Sequence, residues 1–279
     1  VSPLGSATAL HKSHCRNVNL RTELVLIPLI LSLETATRAG SVCLVSGDSV
    51  LAAISLNPEV SHSTDLLYKV QESLDAAGFK LDDVQLFAAA TGPGSFTGLR
   101  IGLATIKSFA ATLGRPCAGV PTLEAVAHAS GASAQTVALL PAGRGELFAQ
   151  LFSVGTDGAI SALDNAAHLK PLEVFAKYGR LQQAMWAGEG AILQSVALRD
   201  YALAHGLEFF DSSNHPGTRR AGWILAPACE NLAIEVAAIA GRAFDQGNTV
   251  SAADLHAIYV RPSDAEMNQR WPNEKQLST

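Results

Sequence analysis

A two-lobed α/β protein is what this 279-residue sequence predicts, and three observations carry the prediction. Short β-branched runs separated by turn residues occur near the start of the chain and again after residue 131, each time followed by alternating helical and strand patterns. Apolar residues make up 48% of the chain and charged residues only 16%, enough to bury a large core with few long side chains in the way. Alanine and glycine are abundant, which lets helices and sheets approach closely.

In chain order, Ile30 to Leu33, Ser41 to Val45 and Val50 to Leu56 read as three antiparallel strands joined by tight turns. Ser61-His62-Ser63 then caps a helix whose apolar positions Leu66, Leu67, Val70, Leu74 and Ala77 recur at helical spacing until Gly78. Val84 to Ala90 reads as a buried strand running into Thr91-Gly92-Pro93-Gly94. The helix after it buries Leu99, Leu103, Ile106, Ala110 and Leu113 and stops at Gly114. Cys117 to Val120 is a strand, and Pro121 starts a helix over Thr122 to Ala129.

Gly131-Ala132-Ser133-Ala134 reads as a linker, after which Thr136 to Leu140, the turn Pro141 to Gly145, and Glu146 to Val154 repeat the hairpin theme. Helices are expected at Pro171 to Tyr178, Ala191 to His205 and Pro227 to Gln246, with a strand at Ala184 to Ala187. The division that follows is an N-terminal extension over 1–27, expected to be disordered, lobes over 28–130 and 131–265, and a tail over 266–279. Lys12, Arg16 and Arg21 before the run Leu24 to Leu33 imitate a signal peptide. Pro28 interrupts that run, which falls far short of the ~20 apolar residues of a membrane span.

The formal charge of −5 lacks the basic excess of a protein that grips nucleic acid alone, so any such contact is expected to be shared with a partner. Cys15, Cys43, Cys117 and Cys229 are far apart with no CxxC pair, which excludes a disulfide framework or zinc ribbon by spacing and fits a cytoplasmic protein. The histidines form no HxxxH or HExxH pair, so no metal site is expected. Ser95 lacks the GxSxG spacing of a nucleophile elbow, and no catalytic residue is assigned.

The segment Gly92 to Arg100 carries a turn from a strand into a helix, a device that binds phosphate through converging N–H groups and the helix dipole. Its glycines do not make a GxGxxG, and no Lys-Ser or Lys-Thr pair follows as in a P-loop. Gly98 and Gly102 lie one turn apart, with Ser95 and Thr105 near the same side. Each costs about 1 kcal/mol against alanine, so a second backbone must come close. From these residues alone that backbone belongs equally to this chain or to another. Glu34-Thr35-Ala36-Thr37 sits at a hairpin mouth, where actin-like and sugar-kinase-like ATPases hold a metal and phosphates. The matching hairpin carries Pro141-Ala142-Gly143 and no carboxylate, so Glu34, Thr35 and Thr37 read at most as a vestigial nucleotide site, with turn capping the favoured role of Glu34.

Taken together and in order, Leu31 to Thr37, His62-Ser63, Thr91 to Gly102, Gly143 to Phe148 and Tyr259 to Pro262 resemble the TsaB family of tRNA threonylcarbamoyladenosine synthesis, in an older label glycoprotease-like. The resemblance spans about residues 28 to 265, and Gly92 to Gly102 is its most specific stretch. It implies an actin-like (ASKHA) fold of two ribonuclease-H-like lobes and a non-catalytic subunit that docks on a catalytic TsaD-like subunit through N-lobe helices. Interface residues are expected on the helix from Ser63, with Leu66 and Leu67, and around the second helix at Gly94, Ser95, Phe96, Thr97, Gly98, Arg100, Gly102 and Thr105.

The resemblance further implies a TsaE-like ATPase in the complex, tRNA bound through the complex, ATP and metal on the partner subunits, and a homodimer when the chain is alone. Family members commonly have Asp-Thr-Ser in the first hairpin and an acidic residue before the Gly-Arg-Gly-Glu segment. Both positions differ here, which weakens independent nucleotide hydrolysis and leaves the interface helices intact. The competing reading is a stand-alone actin-like ATPase or small-molecule kinase. A metalloprotease, suggested only by the older label, lacks ligands with the right spacing.

Overall fold

Residues Leu29–Glu34 are apolar on both faces of an extended chain, the pattern of a strand covered on both sides. In the computed structural model, which describes residues 27–57, 59, 62–212 and 222–260, they form the fully buried central strand β1. Strands β2 (Ser41–Ser46) and β3 (Ser49–Ser55) fold back antiparallel on one side, and β4 (Leu86–Gly92) and β5 (Cys117–Pro121) add parallel on the other. The sheet order is β3-β2-β1-β4-β5, with β3 an exposed edge.

Helices α1 (His62–Ala77) and α2 (Phe96–Leu113) cover one face through Leu66, Val70, Leu74, Leu103, Ile106 and Ala110. Both limits of α2 follow from its caps. Ser95 Oγ accepts the Gly98 N–H at 3.2 Å, and Gly114, at φ 62°, donates its N–H to the Ala110 carbonyl. Helix α3 (Thr122–Ala129) then leads to the second sheet.

That sheet contains β6 (Ser133–Gly143), β7 (Glu146–Val154), β8 (Ile160–Ala162), β9 (Ala167–Leu169), β10 (Ala184–Ala187), β11 (Phe209–Asp211) and β12 (Trp223–Leu225). Its order is β11-β12-β10-β6-β7-β8, with β9 also on β7. The central strand β6 has an antiparallel hairpin partner on one side and a parallel strand on the other, as β1 does. The repeated order is that of two ribonuclease-H-like lobes. The outer face is covered by α4 (Pro171–Tyr178), α5 (Glu189–Leu193) and α6 (Ser195–Ala204), around the buried pair Trp186 and Trp223.

Between the two sheets lie α3 and α7 (Leu232–Asp245), whose small residues Ala125, Ala127, Ala233, Ala237 and Ala240 are buried in one core with residues of both sheets. Here the structure departs from a cut at residue 130. Helix α7, C-terminal in sequence, packs on β1, β2, β4 and β5 of the first sheet, and α3 packs on β6 and β7 of the second as well as on β4 and β5 of the first. The first sheet is therefore covered by a helix from the second half of the chain, and α3 bridges the two sheets.

Other limits shift for local reasons. The helix expected over Ala191 to His205 is two, because Gln194 (φ −97°, ψ 9°) ends α5 and the chain restarts as α6. The helix expected from Pro227 begins only at Leu232. Ala226 still donates to Trp186 as a continuation of the sheet, and Asn231 is extended at φ −142°. No described helix is long and apolar enough to cross a membrane. The expected disorder of residues 1–26, the tail 266–279, the cap at Ser61 and the side chain of Ser63 lie outside the described residues.

Candidate functional site

The turn between β1 and β2 and the N-terminus of α2 are built against each other. Ser95 N–H donates to the Ala36 carbonyl at 2.7 Å, and Thr35 Oγ1, in a buried contact, donates to the Gly98 carbonyl at 2.8 Å. A Cβ on Gly98 would overlap the Thr35 carbonyl oxygen, one on Gly102 would overlap Thr35 Oγ1, and one on Gly94 would lie 2.6 Å from the Ala36 Cβ. These glycines let one backbone seat on another. The backbone that the Gly98/Gly102 pair admits is thus this chain's own. Gly98 and Gly102 are buried, and their assignment to a partner surface is corrected on that ground.

The outward side of the same region is different. Ser95, Thr97 and Arg100 are exposed, while Gly94, Phe96 and Thr105 are half-buried. The Arg100 guanidinium lies 3.8 Å from the centroid of the Phe96 ring, a cation–π contact. Thr105 Oγ1 donates back to the Ile101 carbonyl within the helix. On α1, Leu66 is buried in the core, so it stabilises the helix and offers nothing to a partner. Its neighbours Leu67 and Tyr68 are 57% and 67% exposed. Tyr68 escapes sequence reasoning because it lies off the apolar stripe, and only the helix's orientation reveals it.

Helices α1 and α2 follow strands that run in the same direction and lie on one face of the sheet. They therefore start at the same end of it, and Leu67, Tyr68 and Arg100 all sit in the first two turns. That end of the sheet thus carries exposed apolar groups on α1 and a cation on α2, and the β1–β2 turn holds the start of α2.

Glu34 occupies a different position in the chemistry. It is 1% exposed, and its two carboxylate oxygens accept the Thr37 N–H at 2.7 Å and the Thr37 hydroxyl at 2.6 Å. This closes the β1–β2 turn on itself, which is the capping role. Glu34 and Thr37 also line a cleft of about 210 Å³ between the sheets, whose described walls include Glu189 and Glu230. Three carboxylates on one small cleft repel a polyphosphate. Cys229 reaches solvent on the same wall, yet its thiol is pushed up to about 11, by burial first and by neighbouring carboxylates of Glu235, Glu34 and Glu230 in addition. It is a poor nucleophile at neutral pH.

In the second lobe the hairpin tip is a two-residue loop, Arg144-Gly145, with φ 52° and 77°. That is the primed turn whose twist suits a hairpin. Among the described residues, no group of three His, Cys, Asp or Glu side chains could hold a metal ion.

Comparison with known proteins agrees on one lineage. The family model described as TsaD, tRNA N6-adenosine threonylcarbamoyltransferase, matches residues 51–206. The tRNA threonylcarbamoyladenosine biosynthesis protein TsaB of Escherichia coli (strain K12) is 31% identical over 237 residues, which is 83% of this chain and 94% of that protein. TsaB of Bacillus subtilis (strain 168) is 31% identical over a shorter stretch, 35% of this chain and 43% of that one. YeaZ from Pseudomonas aeruginosa superposes with a TM-score of 0.61 at 24% identity, covering 83% of this chain and 99% of that one, and so shares the fold.

Proposed function

Since this chain belongs to the TsaB family of tRNA threonylcarbamoyladenosine biosynthesis proteins and has the family's actin-like fold, we propose that it is the non-catalytic docking subunit of the complex that modifies the adenosine beside the anticodon. It docks on a TsaD-like catalytic subunit in the cytoplasm, and a TsaE-like ATPase joins the assembly. ATP and metal belong to those partners, and tRNA is engaged through the complex. Alone, the chain pairs with a second copy.

The observation that carries this reading is the exposure of Leu67 and Tyr68 in the first two turns of α1 and of Arg100, lying over the Phe96 ring, in those of α2, at the same end of the sheet. Exposed aromatic, leucine and arginine side chains on helices packed against a sheet are the groups that anchor protein interfaces. The Thr35–Gly98 contact holds the start of α2, and Leu66, Val70 and Leu74 hold α1 on the sheet, so little ordering entropy opposes binding there.

The stand-alone ATPase or kinase reading is not favoured. Glu34 is committed to Thr37, and the cleft beside it is acidic. Calorimetric titration of the isolated chain separates the two. The proposal expects saturable heat on adding a TsaD-like subunit and none on adding magnesium and ATP, and the reverse pattern would overturn it.

A further inference from the structure

The chain after α7 does not leave the fold. It returns as an extended strap along the first sheet. Val250 and Cys117 exchange both backbone hydrogen bonds at 2.8 Å, which fixes the strap to the outer edge of β5. Leu255 is buried in the same cluster as the inner residues of α1 and α2, so the strap lies on the same face of the sheet as those helices. Lys107 of α2 reaches across with its ammonium and donates to the Leu255 carbonyl at 3.0 Å. On that face α2 therefore has α1 as one neighbour and the strap as another.

The strap ends against the Gly-rich turn. Ile258 N–H donates to the Thr91 carbonyl at 2.7 Å, and the Ile258 carbonyl oxygen is 2.5 Å from the position of a Cβ on Gly92. Gly92 thus admits the strap as Gly98 admits the β1–β2 turn. The next ring, Tyr259, meets Phe96 at 5.4 Å between centroids, and Phe96 carries Arg100 on its ring. Tyr259 remains 49% exposed, and Ile258 is also open to solvent.

We propose that this strap is a third element of the partner-docking surface, presenting Ile258 and Tyr259 to the TsaD-like subunit beside Phe96 and Arg100. The proposal rests on the reading that such a subunit docks on α1 and α2. The occupant follows from continuity: Tyr259, Phe96 and Arg100 form one contiguous series, a tilted ring pair and a cation–π contact, that runs into the α2 end of that face. A tyrosine held by a backbone hydrogen bond at its preceding residue and by its contact with Phe96 presents an aromatic area at small entropic cost, the property of an interface anchor.

The test is the affinity of the full chain for a TsaD-like subunit, measured for the wild type, Tyr259→Ala, Tyr259→Phe and Leu67→Asp, with melting temperatures recorded in parallel. Both positions are exposed, so folding should survive each change. The proposal expects Tyr259→Ala to weaken binding by about tenfold or more, with Tyr259→Phe restoring most of it because the ring is kept. If Leu67→Asp weakens binding and Tyr259→Ala does not, the strap is no part of the interface while the docking reading stands. If neither variant weakens binding, both are overturned. Loss at Tyr259 without loss at Leu67 would put the partner on the strap alone and contradict a continuous surface.

Discussion

Thr35 and Gly98 lie 63 residues apart in sequence and are joined by a buried hydrogen bond of 2.8 Å from the threonine hydroxyl to the glycine carbonyl. This contact welds the turn after the first strand to the first turn of α2. It makes Gly98 a packing requirement and leaves Phe96 and Arg100, two residues to either side, to the outward side of the helix.

Gly98→Ala reads out that relationship by sign. Helix propensity alone favours alanine over glycine by about 1 kcal/mol. The added Cβ overlaps the Thr35 carbonyl, backbone that cannot rotate away, and overpacking of that kind costs about 1–3 kcal/mol. The substitution is expected to destabilise the fold in chemical denaturation. A stabilised Gly98→Ala protein would show that the two backbones are not in contact.

Glu34→Gln tests the capping role. The carboxylate accepts both a backbone N–H and a hydroxyl from Thr37, and an amide offers one oxygen and a donor in their place. A loss of about 1–3 kcal/mol is expected, seen as a lower denaturation midpoint. Unchanged stability would return Glu34 to the candidates for ligand binding.

Glu124 provides a pH signature. Burial holds its carboxyl above the usual carboxylate range, with His128 pulling the other way. The folded chain therefore holds this proton more tightly than the unfolded one. Ionised Glu124 costs stability at neutral pH, and the cost vanishes as pH falls below both values. Glu124→Gln is expected to raise the melting temperature at about pH 7 and leave it unchanged near pH 3. A lower melting temperature at neutral pH would show that attraction to His128 outweighs burial.

Much of this was legible in the residues. Ser95 and Gly114 are local signals, and the limits of α2 follow from them. Glu34 as a turn cap was readable because Thr37 stands three positions on. The Gly98/Gly102 pair announced a close approach, but spacing along a helix cannot name the neighbour, and Thr35 is remote in sequence. The packing of α7 on the first sheet and of α3 on both was invisible for the same reason: periodicity tells that a helix has a buried face and not which sheet it meets. Strands β8, β9, β11 and β12 have three residues each, too few for an alternation to register. The strap has no periodicity at all, and its place is set by a pair of backbone hydrogen bonds at Val250, one at Ile258 and the Lys107 contact to Leu255.

The central claim is that the outward face of α1 and α2 holds a TsaD-like subunit. Equilibrium titration of that subunit with Leu67→Asp, set against Leu203→Asp on the far side of the molecule, tests it most directly, since both leucines are about equally exposed at 57% and 61%. The account predicts that the α1 variant binds at least about a hundredfold more weakly, as expected for a charge buried at an interface anchor. It predicts that the α6 variant binds as the wild type does. Equal affinities for the two variants would contradict it.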